Sequence, residues 1–412
     1  MGLETNGTIV IMNSRMHSKP TFATSISHRV MWRIFIGAAL LLSSVSVVLA
    51  GPREQAQRIH DRLAGVPPSD AVLNTMESQV QAGAGGPIAA AMTAMDNPNF
   101  YTVTLKNFAA PWTNRDFNPF VPLNDYVTLV IGMVKDNVPF DQILYGDLLY
   151  VGQGVTPGPS ANSNAHYAAL EQAMLAPSFN PNTLVQTTQS GTYGLPGAAT
   201  AGAMTTRAAA EAFFIAGTNR AMFRFTLVNH MCMDMEQVQD TSIVPDRIRQ
   251  DVSRSPGGDS RVFLNNCIGC HAGMDPLAQA FAYYNYDDVA GSIQYTPGNV
   301  QAKYFNNDET FADGFITPDD SWNNYWREGQ NSLIGWGPGS GSGAGAKSLG
   351  QELAGTQAFA ECQVQKVFKT VCLRDPVDQA DRDQVAAMAS TFRGNYNLKQ
   401  VFAESAVYCM GN

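Results

Sequence analysis

Cys267-Ile268-Gly269-Cys270-His271 is the stretch that most narrows what this chain can become. Two thiols at this spacing lie about one helical turn apart, and an imidazole follows the second directly. A C-x-x-C-H segment allows both sulfurs to add to the vinyl groups of one porphyrin while the histidine is held beneath its iron. With six Cys and six His in the sequence, chance would produce the pattern roughly 0.001 times per chain. Other uses of the pair fit less well. A structural zinc site wants a second close ligand pair, and Cys232, Cys362, Cys372 and Cys409 form no other C-x-x-C. A thioredoxin-like redox pair belongs at a helix start after a strand. Here the motif follows the turn Ser255-Pro256-Gly257-Gly258 and the amphipathic Arg261-Val262-Phe263-Leu264. The expected cofactor is one covalent haem c, attached through Cys267 and Cys270, with His271 as the proximal ligand of its iron.

The N-terminus agrees with a chain that leaves the cytoplasm. Arg29 and Arg33 precede an apolar run from Ile34 to Leu49 that ends in Val48-Leu49-Ala50. That order is a basic region, a hydrophobic region and a small-residue cleavage site, with the cut expected after Ala50. The run is short for a membrane span, so a membrane is expected as a partner only if this segment stays uncleaved. Met31 is an alternative start. An exported, periplasmic location suits covalent haem attachment and lets disulfides persist. The formal net charge is −9, and residues 1–50 contain four basic residues (Arg15, Lys19, Arg29, Arg33) against one acid (Glu4). The chain beyond them is therefore more acidic still. Such a surface excludes nucleic acid as a partner and suits a redox partner protein of basic character. Oligomeric state is not encoded in any of these features.

Apolar spacing and punctuation predict a mainly α fold. Four stretches are expected: a leader and signal peptide over 1–50, a multi-helical N-terminal region over 51–250, a cytochrome-c-like haem module with a small β-leaning insertion over 251–346, and a three-helix module over 347–412. Gln55 to Met76 is helical, broken at Gly65-Val66-Pro67-Pro68, with Ser69 as the next N-cap. Gly83 to Gly86 is a linker. A helix pair covers Asp125 to Lys135 and Asp141 to Tyr150. Residues 152–163 and Gln186 to Gly202 are loops. One long helix runs from Thr205 or Thr206 to Cys232, its apolar residues spaced near 3.6. A short helix follows Pro245. Asp275 and Pro276 should cap and begin a new helix through Leu277, Phe281 and Tyr284. Residues 289–318 lean towards β structure. Gly337 to Gly345 is a loop without the Gly-Lys-Ser/Thr ending of a phosphate-binding loop. The last three helices are placed at about 349–372, 378–392 and 397–408.

Taken together, these segments resemble the planctomycete-type cytochrome c proteins. The sharpest likeness is Cys267-x-x-Cys270-His271-x-x-Met274-Asp275-Pro276-Leu277. Ala358-Phe359-Ala360-x-Cys362, Val367-Phe368 and Asp381 to Phe402 are similar to the small helical module that follows it. Arg62-Leu63-Ala64-Gly65-Val66-Pro67-Pro68 and Val138-Pro139-x-Asp141-x-x-Leu144 are weaker N-terminal likenesses. The resemblance implies export and a single c-type haem, and no particular reaction. The segment 289–345 is longer and richer in Trp than that pattern.

Function turns on the sixth position of the iron. Met274, three residues after His271, stays on the proximal side of the porphyrin and is expected to pack beside it. The candidates are His230, Met231, Met233, Met235, Met388 and Met410. A His/Met pair raises the reduction potential and suits electron transfer; two histidines, with His230 or His166, lower it; an open position admits peroxide or oxygen. Arg327, Trp322, Trp326 and Lys303 are candidate donors to buried haem propionates. The remaining cysteines number four. If the final three helices alternate in direction, the ends of the first and third meet, which pairs Cys372 with Cys409 and leaves Cys232 for Cys362. Cys362 and Cys372 would be separated by about 15 Å of helix, beyond disulfide reach. The expected activity is single-electron transfer by an exported monohaem cytochrome rather than catalysis. A haem enzyme of peroxidase or oxygenase type and a haem subunit of a larger redox complex stay open, because a carrier needs only about a hundred residues.

Overall fold

The computed structural model describes residues 50–214, 218–304 and 308–411. The basic and apolar leader, including Arg29, Met31, Arg33 and the run from Ile34 to Leu49, lies outside the described residues. Three helices open the described chain: α1 (Pro52–Ala64), α2 (Asp70–Gln81) and α3 (Gly86–Met95). Pro52 occupies the first turn of α1, and Gly65 closes it at φ +70°, the left-handed cap that glycine adopts without strain. Ser69 caps α2 as expected, its side chain accepting from the Val72 N–H. The Gly83–Gly86 linker is a tight turn that folds α3 back onto α2 and α1.

Helix α4 (Asp125–Lys135) is capped by Asn124 and buried along nearly its whole length. Beyond it the expected second helix is absent. One turn of 3-10 helix at Phe140–Leu144 leads into strand β1 (Leu149–Gly152). The β-favouring Tyr150-Val151 finds a partner in β2 (Leu184–Thr187), antiparallel with Tyr150 opposite Gln186. Residues 186–202 are accordingly not all loop: the end of β2 and a short helix, Gln189–Tyr193, occupy their first half. Helix α5 (Ala165–Met174) lies between the two strands in sequence.

The long helix expected over 205–232 is two helices, α6 (Arg207–Phe213) and α7 (Arg220–Met231). Thr206 caps the first. Asn219 breaks the run at φ +56°, and its amide donates to the carbonyls of Phe281 and Tyr284 (both 2.9 Å). A tertiary partner thus overrides the helical periodicity. No helix follows Pro245; residues 245–255 are turns around the buried Arg249. The motif starts at Cys267, the residue that caps α8 (Ile268–Ala278), and continues along the first turn of that helix. Asp275 and Pro276 do not start a new helix; Pro276 sits inside α8, because the Asp275 carboxylate is engaged by side chains instead of a backbone cap.

After α8, a hairpin of β3 (Tyr284–Asp287) and β4 (Ser292–Tyr295) accounts for the β-leaning stretch, and 3-10 and helical turns at Ala302–Tyr304 and Asp308–Phe311 replace the rest. Tyr284 therefore lies on a strand rather than a helix. The Gly/Ser run contributes β6 (Ser342–Ala344), paired with β5 (Ser321–Asn323). Four helices end the chain: α9 (Gly345–Ala354), α10 (Gln357–Cys372), α11 (Gln379–Asn395) and α12 (Leu398–Tyr408). The expected first of three is split at Gly355-Thr356, where Thr356 caps α10. Among α10, α11 and α12 the alternation holds. Cys372 meets Cys409 (Cα–Cα 5.6 Å), and Cys232 at the end of α7 meets Cys362 (5.3 Å). The fold is mainly helical, and the described residues from 50 to 411 make one compact unit. Helix α12 returns to α1 and α3, where Gln55 and Arg58 donate to the carbonyls of Gly411 and Met410. No helix of the described residues is long and apolar enough to cross a membrane.

Candidate haem-attachment site

A π-helical turn, Phe263–Cys267, feeds the chain into α8, a wide turn often found at functional positions. It is anchored by Phe263, buried against Ile248 and Val252, with Cys267 and Ile268 packed on the same cluster. Two glycines lie on the buried side of α8 with Ala272, Met274 and Leu277. The Gly269 carbonyl accepts from the Asp240 N–H at 2.9 Å. At Gly273 a Cβ would stand 1.9 Å from Nε1 of the fully buried Trp326, so only glycine permits this approach. Pressing the glycines inward leaves Cys267, Cys270 and His271 half-buried, on the part of the helix that still meets solvent.

The two motif thiols are free, whereas the other four cysteines pair. Cys270 Sγ donates to the Met235 carbonyl at 3.5 Å. Burial, with the nearby acid of Glu236, pushes the Cys270 thiol up, so it is kept protonated. No group of three or more His, Cys, Asp or Glu among the described residues is arranged to hold a metal ion, and the tetrahedral protein set of a structural zinc is not assembled around the motif.

His271 is oriented by Asp275, one turn along α8, with Nδ1 and Oδ2 3.1 Å apart. Asp275 is fully buried. Arg220 grips it through Nε (2.7 Å to Oδ1) and Nη2 (3.1 Å to Oδ2) and reaches Asp251 with the other edge of its fork (2.7 and 3.0 Å). Arg249 Nη2 lies 3.6 Å from Asp275. Burial alone would raise the Asp275 carboxyl, but Arg220 and Arg249, with the His271 hydrogen bond, hold it well below the usual carboxylate range. An ionised carboxylate only accepts. His271 Nδ1 therefore donates, and Nε2 is the ring nitrogen left to face a metal. Two free thiols one turn apart and an imidazole with its outer nitrogen available are the donor set that a covalently attached haem needs.

The other sequence candidates are dispersed. Met235 touches the motif, through the carbonyl that meets Cys270. Met231 is buried on α7 and Met233 is half-buried just beyond it. Met388 lies in the core of α11, its sulfur accepting from Ser405 Oγ at 3.7 Å, and the Met410 carbonyl accepts from Arg58. His230 is enclosed, with Nε2 2.7 Å from Tyr126 Oη. Both ring nitrogens of His166 are engaged, by the Gly152 N–H and the Pro157 carbonyl. Met274 is buried in the main core. Of the suggested propionate donors, Arg327 pairs with Glu352 (two contacts of 2.7 Å), Trp322 donates to Ser348 and Lys303 to the Phe214 carbonyl. Trp326 Nε1, and Nε and Nη1 of Arg249, are buried without a hydrogen-bond partner.

Sequence reasoning missed the ring of charge behind His271. The i, i+4 placement of Asp275 is visible in the sequence, but Arg220 and Asp251 lie 55 residues from Asp275 and 31 from Arg220 respectively, and no local signal joins them. Among known proteins no family model matches the chain, and no match was found among curated proteins or solved structures.

Proposed function

We propose that this chain is an exported monohaem c-type cytochrome that passes single electrons through an iron held by His271, with Cys267 and Cys270 as covalent attachment points. The observation that carries the reading is the contrast among the cysteines: four are consumed in disulfides, while the two in C-x-x-C-H stay free beside a histidine whose Nδ1 is occupied by a carboxylate. Bound there, a haem would supply a one-electron couple. The chain's part is to orient the imidazole, exclude water from the Asp275 side and present the site at the surface of α8. Export with cleavage after Ala50 belongs to the same proposal, as do the family likeness and a protein redox partner. The disulfides support an oxidising compartment.

A second reading, a haem enzyme with an open distal position, draws on the same His271–Asp275 pair. A carboxylate on the outer-shell nitrogen makes the ligating imidazole a stronger donor, which favours oxidised iron. Expression in the periplasm of a host able to attach haem tests both. The wild type should keep haem through denaturing electrophoresis and begin at Gly51. An oxidised and reduced pair of low-spin spectra indifferent to carbon monoxide supports the carrier; a high-spin spectrum with fast carbon monoxide binding overturns it in favour of the enzyme.

A further inference from the structure

We infer that Asp275 is a positioning residue that sets the reduction potential of the iron through His271, an inference that rests on the haem reading above. The carboxylate is shared among three cationic or donating neighbours. Oδ2 receives His271 Nδ1–H and Arg220 Nη2, each at 3.1 Å; Oδ1 receives Arg220 Nε at 2.7 Å and faces Arg249 Nη2 at 3.6 Å. The side chain of Asp275 has no exposed surface, so water does not take part in this division. The more of its charge Asp275 spends on His271, the more electron density the imidazole passes to a metal at Nε2, and the more the oxidised, more positive iron is favoured.

Asp251 adjusts that share. It takes the outer fork of Arg220 in two hydrogen bonds of 2.7 and 3.0 Å, which draws part of the guanidinium's charge away from Asp275. Asp251 does not touch His271, and its side chain is a quarter exposed. The arrangement is a chain, Asp251–Arg220–Asp275–His271, in which each link weakens the next competitor for the proton on Nδ1. Its predicted signs are definite. Neutralising Asp275 removes the negative charge behind the imidazole and raises the potential. Neutralising Asp251 returns Arg220 to Asp275, loosens its hold on His271 and also raises the potential, by less.

The test is a spectroelectrochemical titration of Asp275→Asn and Asp251→Asn against the wild type, all carrying haem. Covalent haem content is measured first. The iron–histidine stretch is read by iron-57 nuclear resonance vibrational spectroscopy of the reduced protein, which needs no added ligand. Asp275→Asn should shift the one-electron equilibrium at least tenfold towards reduced iron, about 59 mV, with the stretch moving to lower frequency. Asp251→Asn should shift both readings in the same direction by less. If Asp275→Asn yields no folded protein, Asp251→Asn carries the test alone. Haem-loaded variants with unchanged potential and stretch overturn the role of Asp275 and leave the haem reading intact. A wild type without covalent haem overturns both.

Discussion

His271 and His230 show how differently one residue type can be used within 41 positions of the same chain. Each has one ring nitrogen tied to a partner: His271 Nδ1 to the Asp275 carboxylate, His230 Nε2 to the Tyr126 hydroxyl. The surroundings then diverge. His271 lies half-buried at the surface of α8, and its partner is an acid that two arginines keep ionised. His230 is 1% exposed, with Trp112 edge-on at 5.6 Å and Phe359 stacked beyond it. Burial first, and then the charge of Lys366, push its pKa far below the ordinary 6.5. Lys366 is itself pushed down to about 7 by burial, with its ammonium 3.9 Å from the Trp112 ring centroid. A carboxylate on Nδ1 leaves Nε2 of His271 placed for the ligand role proposed above; a hydroxyl and aromatic walls make His230 part of the core. The difference lies in which nitrogen is taken and whether the other can be reached.

The sharpest way to break this contrast is at the thiols. Cys267→Ser together with Cys270→Ser should abolish covalent haem on a haem-stained denaturing gel, with the protein still folded by circular dichroism. Retained covalent haem would sink the assignment of the site. The disulfides should behave in the opposite manner. Cys372→Ser with Cys409→Ser opens a loop of 37 residues, and its loss should cost about 4 kcal/mol in denaturant unfolding while haem stays attached.

His230→Ala comes next in size. It removes the partner of Tyr126 and opens a space between Trp112 and Phe359, at a cost of about 2–4 kcal/mol, with covalent haem retained. It should also change the pH dependence. A buried base with a lowered pKa contributes stability that is present above its unfolded value and lost as pH falls. For His230 that loss runs downward from about pH 6.5. Lys366 loses stability in a separate window, between its ordinary 10.5 and about 7. Asp275 acts lower again: its carboxyl is depressed, so its contribution is present above 3.8 and fades as pH falls further. Equilibrium unfolding across pH 4–7 should slope upward in the wild type and flatten in His230→Ala. An unchanged slope would mean that His230 is not the group being titrated.

What could be read from sequence follows from how local each feature is. Ser69 announces its helix because a cap binds an N–H three residues away. The pairing of Cys372 with Cys409 follows from helix direction alone. The His271–Asp275 spacing is one helical turn, but the expectation that Asp275 caps a new helix hides the contact. The failures share the opposite property. Asn219 breaks a well-patterned helix because carbonyls more than sixty residues on claim its amide. Tyr150 lies on a strand because Gln186 is there to face it. Asp275 does not cap because Arg220 and His271 occupy its carboxylate. Each is a tertiary partner overruling a local preference, and at the site the overruling partner, Arg220, holds the carboxylate that orients His271.

The smallest effect tests what holds α8 in place. Trp326 is fully buried, tilted against Phe223 at 5.7 Å, and its indole N–H has no hydrogen-bond partner. Its ring lies on Gly273, where a Cβ would approach Nε1 and Cε2 to 1.9 and 2.5 Å. Gly273→Ala must therefore displace either the indole or the helix, at about 1–3 kcal/mol. Trp326→Phe forfeits no hydrogen bond and shortens the ring on the crowded side. If contact at this point is what positions the motif, the double variant should be more stable than the sum of the single effects allows. The coupling is measurable by denaturant unfolding in a double-mutant cycle. Strict additivity would mean that α8 has moved away from Trp326 and that the glycine face does not set the exposure of His271.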